Sequence, residues 1–359
     1  MTHALRRIAF YAPLKPPDHP TPSGDRQIAR LFLEALRRAG FEPVVASQLR
    51  LREPDGTPTA QAELSEAALA EADRLIGAWQ SAPPQLWFTY HCYWKAPDLI
   101  GPRVSAALGI PYVIAEPSHT PSRLTGKWAG FAAQALSAIL QADRLIVTKP
   151  RDMTALRRIA SEGQIAPLPP FVDPGADPSP HRRGSALRLL TVGMMRPGDK
   201  LASYRALAEA LAHLDRPWSL TVVGDGPARG DVGAALAPFP DIRFAGALGP
   251  DALRALYETH DVMLWPGNGE GIGMVYLEAQ AAGCPALAAA HPGPAAVLAT
   301  ADLPAPGDAR GFAKAALALA RDPQARRRAR QFVTARHDLA AAATRLGAIL
   351  TPLLSRSAP

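Results

Sequence analysis

Asn268 to Pro285 reads NGEGIGMVYLEAQAAGCP. It follows DVMLWP (Asp261 to Pro266), whose apolar centre predicts a buried strand, and passes through glycines into GMVYLEAQAAG, which predicts a helix closed by Gly283. Strand, glycine loop and helix form the unit from which parallel sheets are built. A helix start carries free backbone amides and the positive end of a dipole, so the amides of Gly271, Ile272, Gly273, Met274 and Val275 suit a diphosphate. Gly271 and Gly273 let that backbone come close. Glu270 precedes the helix, and Glu278 lies about one and a half turns into it, where a carboxylate can accept hydrogen bonds from paired sugar hydroxyls. The pair thus serves two ends of one nucleotide-sugar.

Outward from this stretch the alternation continues. ALRLLTVG, SLTVVG (Ser219 to Gly224), IRFAG and CPALAAA read as strands, separated by a helix from Lys200 and by DALRALYETH. The first half repeats the pattern with RRIAFYAP (Arg6 to Pro13), EPVVAS, QLWFTYH (Gln85 to His91), IPYVIAE (Ile110 to Glu116) and ADRLIVT (Ala142 to Thr148). Helices such as DRQIARLFLEALRRAG (Asp25 to Gly40), an Ala- and Glu-rich run between Ala60 and Gln80, and KWAGFAAQALSAILQ lie between them. APLPPFVDPGADPSPHRRGS (Ala166 to Ser185) breaks the pattern with prolines and marks a junction. The expectation is an α/β chain with an N-terminal domain over 1–170, a linker over 171–186, a second domain over 187–337 and a C-terminal helix over 338–359.

A chain of 359 residues exceeds one usual core, and 48% hydrophobic with 20% charged residues is a globular composition. The net charge of +7 permits attraction to phosphates, nucleotides or an anionic membrane surface without naming a partner. The densest basic run, RDPQARRRARQFVTAR (Arg321 to Arg336), reads as one solvated face of a helix, with no nucleic-acid motif beside it. Cys92 and Cys284 are too few for a disulfide framework, and MTHALRRIAFYAPLKPP holds no signal peptide, so the cytoplasm is expected, with peripheral contact at the inner face of a membrane allowed. No G-x-G-x-x-G follows the first strand, and P-loop, Asp-x-Asp and Cys/His metal spacings are missing from the sequence.

With the Glu-x7-Glu pair, VVGDGP (Val222 to Pro227), FAGAL (Phe244 to Leu248), LRALYETHDVMLWP, FVD (Phe171 to Asp173) and the EAQAAGCP ending in order, the chain resembles the GT-B glycosyltransferases of the family 4 type. The resemblance implies two doubly wound Rossmann-like domains facing a central cleft. It implies retaining transfer of a hexosyl unit from a UDP-, GDP- or ADP-sugar, with no cofactor and no metal. The acceptor would be a glycan, a lipid-linked sugar or a small molecule, and no nucleic acid is expected as partner. By that likeness Glu278 binds the donor ribose, and Glu270 with the amides of Gly271 to Val275 holds the sugar and phosphates. Gly224 belongs to the strand-turn match, and Ala247 and Leu248 meet the base. Arg196 and Lys200, in VGMMRPGDK, match by type the cations that neutralise the departing diphosphate, although Met194 stands where the family more often has the arginine.

The first half is expected to supply the acceptor side. Gly24, after the long loop LKPPDHPTPSGDRQ, aligns with the family glycine that approaches the phosphates, with Ser23 in place of its usual glycine partner. His91 in FTYHCYWK and His119 in AEPSHTPSR are both candidates for the histidine near the transferred sugar. Lys95, Arg123 and Lys127 are loop cations that an anionic acceptor could meet. The competing readings are a nucleotide-sugar epimerase of the same architecture and a sugar-nucleotide-binding protein without catalysis.

Overall fold

The computed structural model describes residues 6–21, 23–181 and 184–355 and divides into two compact units. Each carries its own parallel sheet.

The first unit holds the residues up to Pro169 and those from Leu339 onward. In chain order its elements are β1 (Arg6–Tyr11), α1 (Gly24–Arg38), β2 (Phe41–Val45), α2 (Pro58–Trp79), β3 (Leu86–Tyr90), α3 (Gly101–Leu108), β4 (Tyr112–Ala115), α4 (Ala129–Gln141), β5 (Arg144–Val147), α5 (Pro150–Leu156) and β6 (Ile165–Pro167). Its sheet runs β2-β1-β3-β4-β5-β6, all parallel. Every residue of β3 and β4 is buried, as expected of strands covered on both faces, and this is why their sequences are near-continuously apolar rather than alternating, the Thr89 hydroxyl of β3 being hydrogen-bonded to Trp87 and Asp98. Ser23 caps α1, its hydroxyl accepting from the Arg26 amide at 3.3 Å.

The second unit, Pro170–Asp338, holds β7 (Leu187–Val192), α6 (Asp199–Leu211), β8 (Trp218–Val223), α7 (Arg229–Leu236), β9 (Ile242–Gly246), α8 (Pro250–Thr259), β10 (Val262–Leu264), α9 (Met274–Ala281), β11 (Ala286–Leu287), α10 (Pro292–Ala295), α11 (Ala309–Arg321) and α12 (Ala325–Arg336). Its sheet order is β11-β10-β7-β8-β9, again all parallel. Leu189, Leu190, Val222, Val262, Met263 and Leu277 fill the core between the sheet and its helices. The last helix, α13 (Leu339–Leu354), belongs to the first unit and packs on α1, Gly347 lying close to the Ala39 methyl.

The proline-rich stretch read as a linker is part of the second unit; Arg182 and Arg183 within it lie outside the described residues. Val172 donates to the His337 carbonyl at 2.9 Å, forming a bridge with Asp338 alongside. Prolines leave carbonyls in excess of amides, so this stretch draws donors from outside it. Arg254 gives one guanidinium nitrogen to the Pro174 carbonyl at 3.0 Å and another to Ala176 at 2.6 Å. His181 sits between the Glu258 carbonyl (3.2 Å) and the Asp261 carboxylate (2.7 Å).

The same demand corrects the reading of the basic run. Arg326 donates to the carbonyls of His260 and Glu258 at 2.7 and 3.0 Å, and Arg330, one turn later, to those of Pro174, Ala281 and Gly175. Two of the arginines on α12 therefore fasten structure within the unit instead of facing solvent. No helix among the described residues is long and apolar enough to cross a membrane.

Candidate functional site

In an open parallel sheet, ligands bind outside the carboxyl ends of the strands, where strand order reverses. In the second unit that point lies between β7 and β10, because β8 and β9 continue to one side of β7 while β10 and β11 lie on the other. The loop after β7 runs from Gly193 to Gly198, leading into Asp199 and Lys200 at the start of α6, and the loop after β10 runs from Trp265 to Gly273. They are tied together. The Asn268 amide donates to the Ser203 hydroxyl at 2.9 Å, a Cβ on Gly269 would overlap the Asp199 carboxylate, and Lys200 Nζ pairs with Glu270 Oε1.

Glu270 is held from a second direction. Trp265 Nε1–H donates to the same Oε1 at 2.9 Å, and the Lys200 ammonium lies 5.3 Å from the indole centroid. Trp265 is fully buried, wedged between Gly193, where a Cβ would come within 2.8 Å of its ring, and Tyr204, whose ring meets it edge-on at 4.9 Å. The Glu270–Gly271 backbone rests against Gly293 of α10, where a side chain would overlap both carbonyl oxygens. One carboxylate oxygen is thus fixed by two donors. Both of these donors meet Oε1 and not Oε2.

Gly273, at φ 80°, is the residue before α9, and it brings no side chain to cap the first turn. The amides of Met274 and Val275 therefore keep the uncapped start that an anion needs. Gly224 takes φ 131° where the ends of β7 and β8 touch, a Cβ there overlapping the Gly193 carbonyl oxygen. Ala247 is exposed and Leu248 half-buried just past β9.

Glu278 stands on α9 facing Tyr257 of α8. Burial pushes its carboxyl up from 4.5 to about 7, with the neighbouring Tyr257 hydroxyl, which has no regular hydrogen bond of its own, pulling the other way. A native state that holds this proton more tightly than the unfolded chain is stabilised below pH 4.5 and loses that advantage as pH rises to about 7. Glu278→Gln is therefore expected to melt progressively higher than the parent between those limits, by at most about 3 kcal/mol, and to keep a constant gap above them. Thermal melts across pH 4 to 8 check this, and parallel profiles would refute it.

Arg196 is exposed and makes no side-chain hydrogen bond or ion pair among the described residues; its neighbour Met195 is buried under the Asp225–Ala228 turn, which directs Arg196 outward. The structure thus joins Lys200 and Glu270 but brings Arg196 to neither.

In the first unit the reversal lies between β1 and β3. Gly24 opens α1, where a Cβ would meet nothing within 4 Å, so no protein neighbour requires glycine there. The next residue, Asp25, reaches across to His91 Nδ1 at 3.1 Å. Burial pushes the Asp25 carboxyl up, but His91 and Lys149 together outweigh it and leave the group below its ordinary value. His91 and Glu116 end adjacent strands and are the two non-glycine residues with positive φ among the described residues, 64° and 53°. Such strain persists where the surroundings impose it and clusters at functional sites. Glu116 is buried and receives Lys149 Nζ at 2.5 Å and the Thr148 hydroxyl at 2.8 Å. His119 is half-buried with no side-chain partner, and burial lowers its pKa. Of the two histidines, His91 is the one built into a network with the Gly24 turn.

Asp25, Lys149 and Trp265 escaped sequence reasoning. Asp25 and Lys149 reveal themselves only once the sheet order is known, whereas a tryptophan ending an otherwise aliphatic strand was a visible signal. Among the described residues no group of three or more His, Cys, Asp or Glu side chains is placed to hold a metal ion.

Residues 186–322 match the family model described as Glycosyl transferases group 1. No curated protein matches the chain significantly. Solved structures do. Sucrose-phosphate synthase from Thermosynechococcus elongatus aligns over 98% of this chain and 100% of its own at a TM-score of 0.73 and 20% identity. A glycosyltransferase from Rickettsia africae ESF-5 aligns over 98% and 99% at 0.73 and 14%. Anabaena HepE, solved with UDP and glucose, aligns over 97% and 100% at 0.68 and 13%. The chain has the fold of the GT-B glycosyltransferases, and its second unit carries a segment of the glycosyl transferases group 1 type.

Proposed function

We propose that this chain is a glycosyltransferase that moves a sugar from a nucleoside diphosphate sugar to an acceptor hydroxyl, with retention of anomeric configuration and without a metal ion. One observation carries the reading: at the strand reversal of the second unit, Lys200 and Trp265 fix one oxygen of Glu270 beside the uncapped start of α9. The diphosphate rests on the first-turn amides, where the helix dipole favours it. Lys200, with Arg196 swinging in from solvent, offsets the charge that grows on the leaving diphosphate. Glu270 holds the sugar hydroxyls and Glu278 the ribose, its raised pKa matching a group that gains from ligand hydrogen bonds in a place water reaches poorly.

The complexes of Anabaena HepE with UDP-glucose and with UDP support a nucleotide-sugar donor. The acceptor belongs to the first unit under this reading, with His91 near the transferred sugar and Asp25 fixing its orientation. A thermal-shift screen with UDP, GDP, ADP and their sugars tests the donor site, since a ligand at one hundred times its Kd stabilises by about 2.7 kcal/mol. One nucleotide series should raise the midpoint, and the matching donor should be slowly hydrolysed in the absence of acceptor. No shift with any of them would end the reading, and conversion of the donor into its epimer would replace it.

A further inference from the structure

Beyond His91 the chain doubles back in a tight turn. Tyr93 and Ala96 exchange backbone hydrogen bonds at 3.3 and 2.9 Å, and the turn is anchored at Cys92, which is buried and accepts the Ser118 amide at its carbonyl and the Asp98 amide at its sulfur. Turn tips normally carry Gly, Asn, Asp or Pro, for conformational reasons. Here they are Trp94 and Lys95, both partly exposed.

Their surroundings share that character. Trp94 meets Trp128 edge-on at 4.8 Å; Lys95 Nζ lies 5.0 Å from both indoles, the Arg123 guanidinium 4.4 Å from Trp94, and Lys127 Nζ 5.7 Å from Trp128. Among the described residues none of the three cations is in an ion pair, and the Lys95 ammonium donates to the Pro54 carbonyl at 3.2 Å. Glu53, next to the Pro54 carbonyl that Lys95 meets, is buried and spends its carboxylate on the amides of Asp55, Gly56 and Thr57. Every residue from Pro121 to Lys127 is exposed. Three like charges gathered around two indoles repel one another, and an anion from outside would offset that repulsion. The aromatic row leads back to the strained histidine: Trp94 lies 6.0 Å from Tyr93, and Tyr93 stacks on His91 at 4.9 Å and 27°.

We propose that the turn at Tyr93–Ala96 and the segment Pro121–Trp128 bind an anionic saccharide, carrying carboxylate or phosphate groups, as the acceptor. The inference rests on the reading of the chain as a glycosyltransferase. The partly exposed Trp94 indole, braced by the buried Trp128, supplies the apolar surface on which a sugar ring rests, and Lys95, Arg123 and Lys127 recognise its charge. His91 marks the end at which the accepting hydroxyl lies.

The test is a tryptophan-fluorescence titration of the whole protein with oligogalacturonate, with its methyl ester, and with glucose 1-phosphate, alongside UDP. At least one of the two anionic probes should bind, and which one does identifies the anion. Binding should weaken steeply with salt, by tenfold or more in R123Q and in K95Q, while UDP binding stays unchanged in both variants. The methyl ester, with the same rings and no charge, should bind at least tenfold more weakly than the acid. The proposal is overturned if the ester binds as well as the acid, if neither anionic probe binds, or if both variants bind as the parent does. Arg123 is exposed, so R123Q keeps its fold, which its melting point checks. Anionic sugar bound without UDP would defeat the donor reading and leave this subsite standing; UDP bound without anionic sugar would do the reverse.

Discussion

Lys200→Ala should lower turnover by about 10²- to 10³-fold, the scale on which removing one fixed electrostatic partner from developing charge is felt. The loss should fall on turnover more than on donor affinity, because the leaving diphosphate carries more charge at the transition state than in the bound donor. Glu270→Gln should fall in the same range for a related reason: the amide cannot accept from Lys200 and Trp265 at one atom and still present a charged oxygen to the sugar. Trp265→Phe separates the contributions. It keeps an aromatic ring but loses the N–H together with the volume of the indole's second ring, so about a tenfold loss of turnover, or ~1.4 kcal/mol, is expected alongside a lower melting point from the cavity left beside Gly193. Steady-state hydrolysis of the donor identified by thermal shift measures all three, and a Lys200→Ala enzyme with parental turnover would remove the lysine from the chemistry.

The largest stability effect is expected at Gly224. Its φ of 131° is open to glycine, and its missing side chain is the space taken by the Gly193 carbonyl, 2.8 Å from the carbonyl carbon to where a Cβ would stand. Both neighbours are backbone, so neither can swing aside. Gly224→Ala should cost about 3 kcal/mol or more, from strain and overlap together. Gly24→Ala is the control: with nothing within 4 Å of its Cβ, it should leave the melting point within about 0.5 kcal/mol of the parent. Equal loss in both variants would mean that steric fit does not distinguish the two glycines.

The strands were legible because parallel strands covered on both faces leave a near-continuous apolar signature, as β3 and β4 do. Lys200 and Glu270 could be named because each ends a strand-loop-helix unit, and the loops at the strand reversal of one sheet meet. The partners of those residues could not. Trp265 and Glu270 sit five positions apart in a loop with no period, and Asp25 finds His91 only because β1 and β3 are neighbours in the sheet. Arg330 misled for a related reason: its spacing along α12 suits a solvated face, while the carbonyls it serves belong to Pro174 and Gly175, far upstream.

The chain enters and leaves its second unit at one spot, where Val172 pairs with Asp338, and afterwards adds α13 to α1. During synthesis on the ribosome, the second unit therefore has its entire sequence in hand while the first still lacks its closing helix. The first unit thus finishes folding after the second, with the flank of α1 bare until α13 has been made. A truncation that removes only α13 should consequently expose apolar surface on the first unit and leave the second one cooperative.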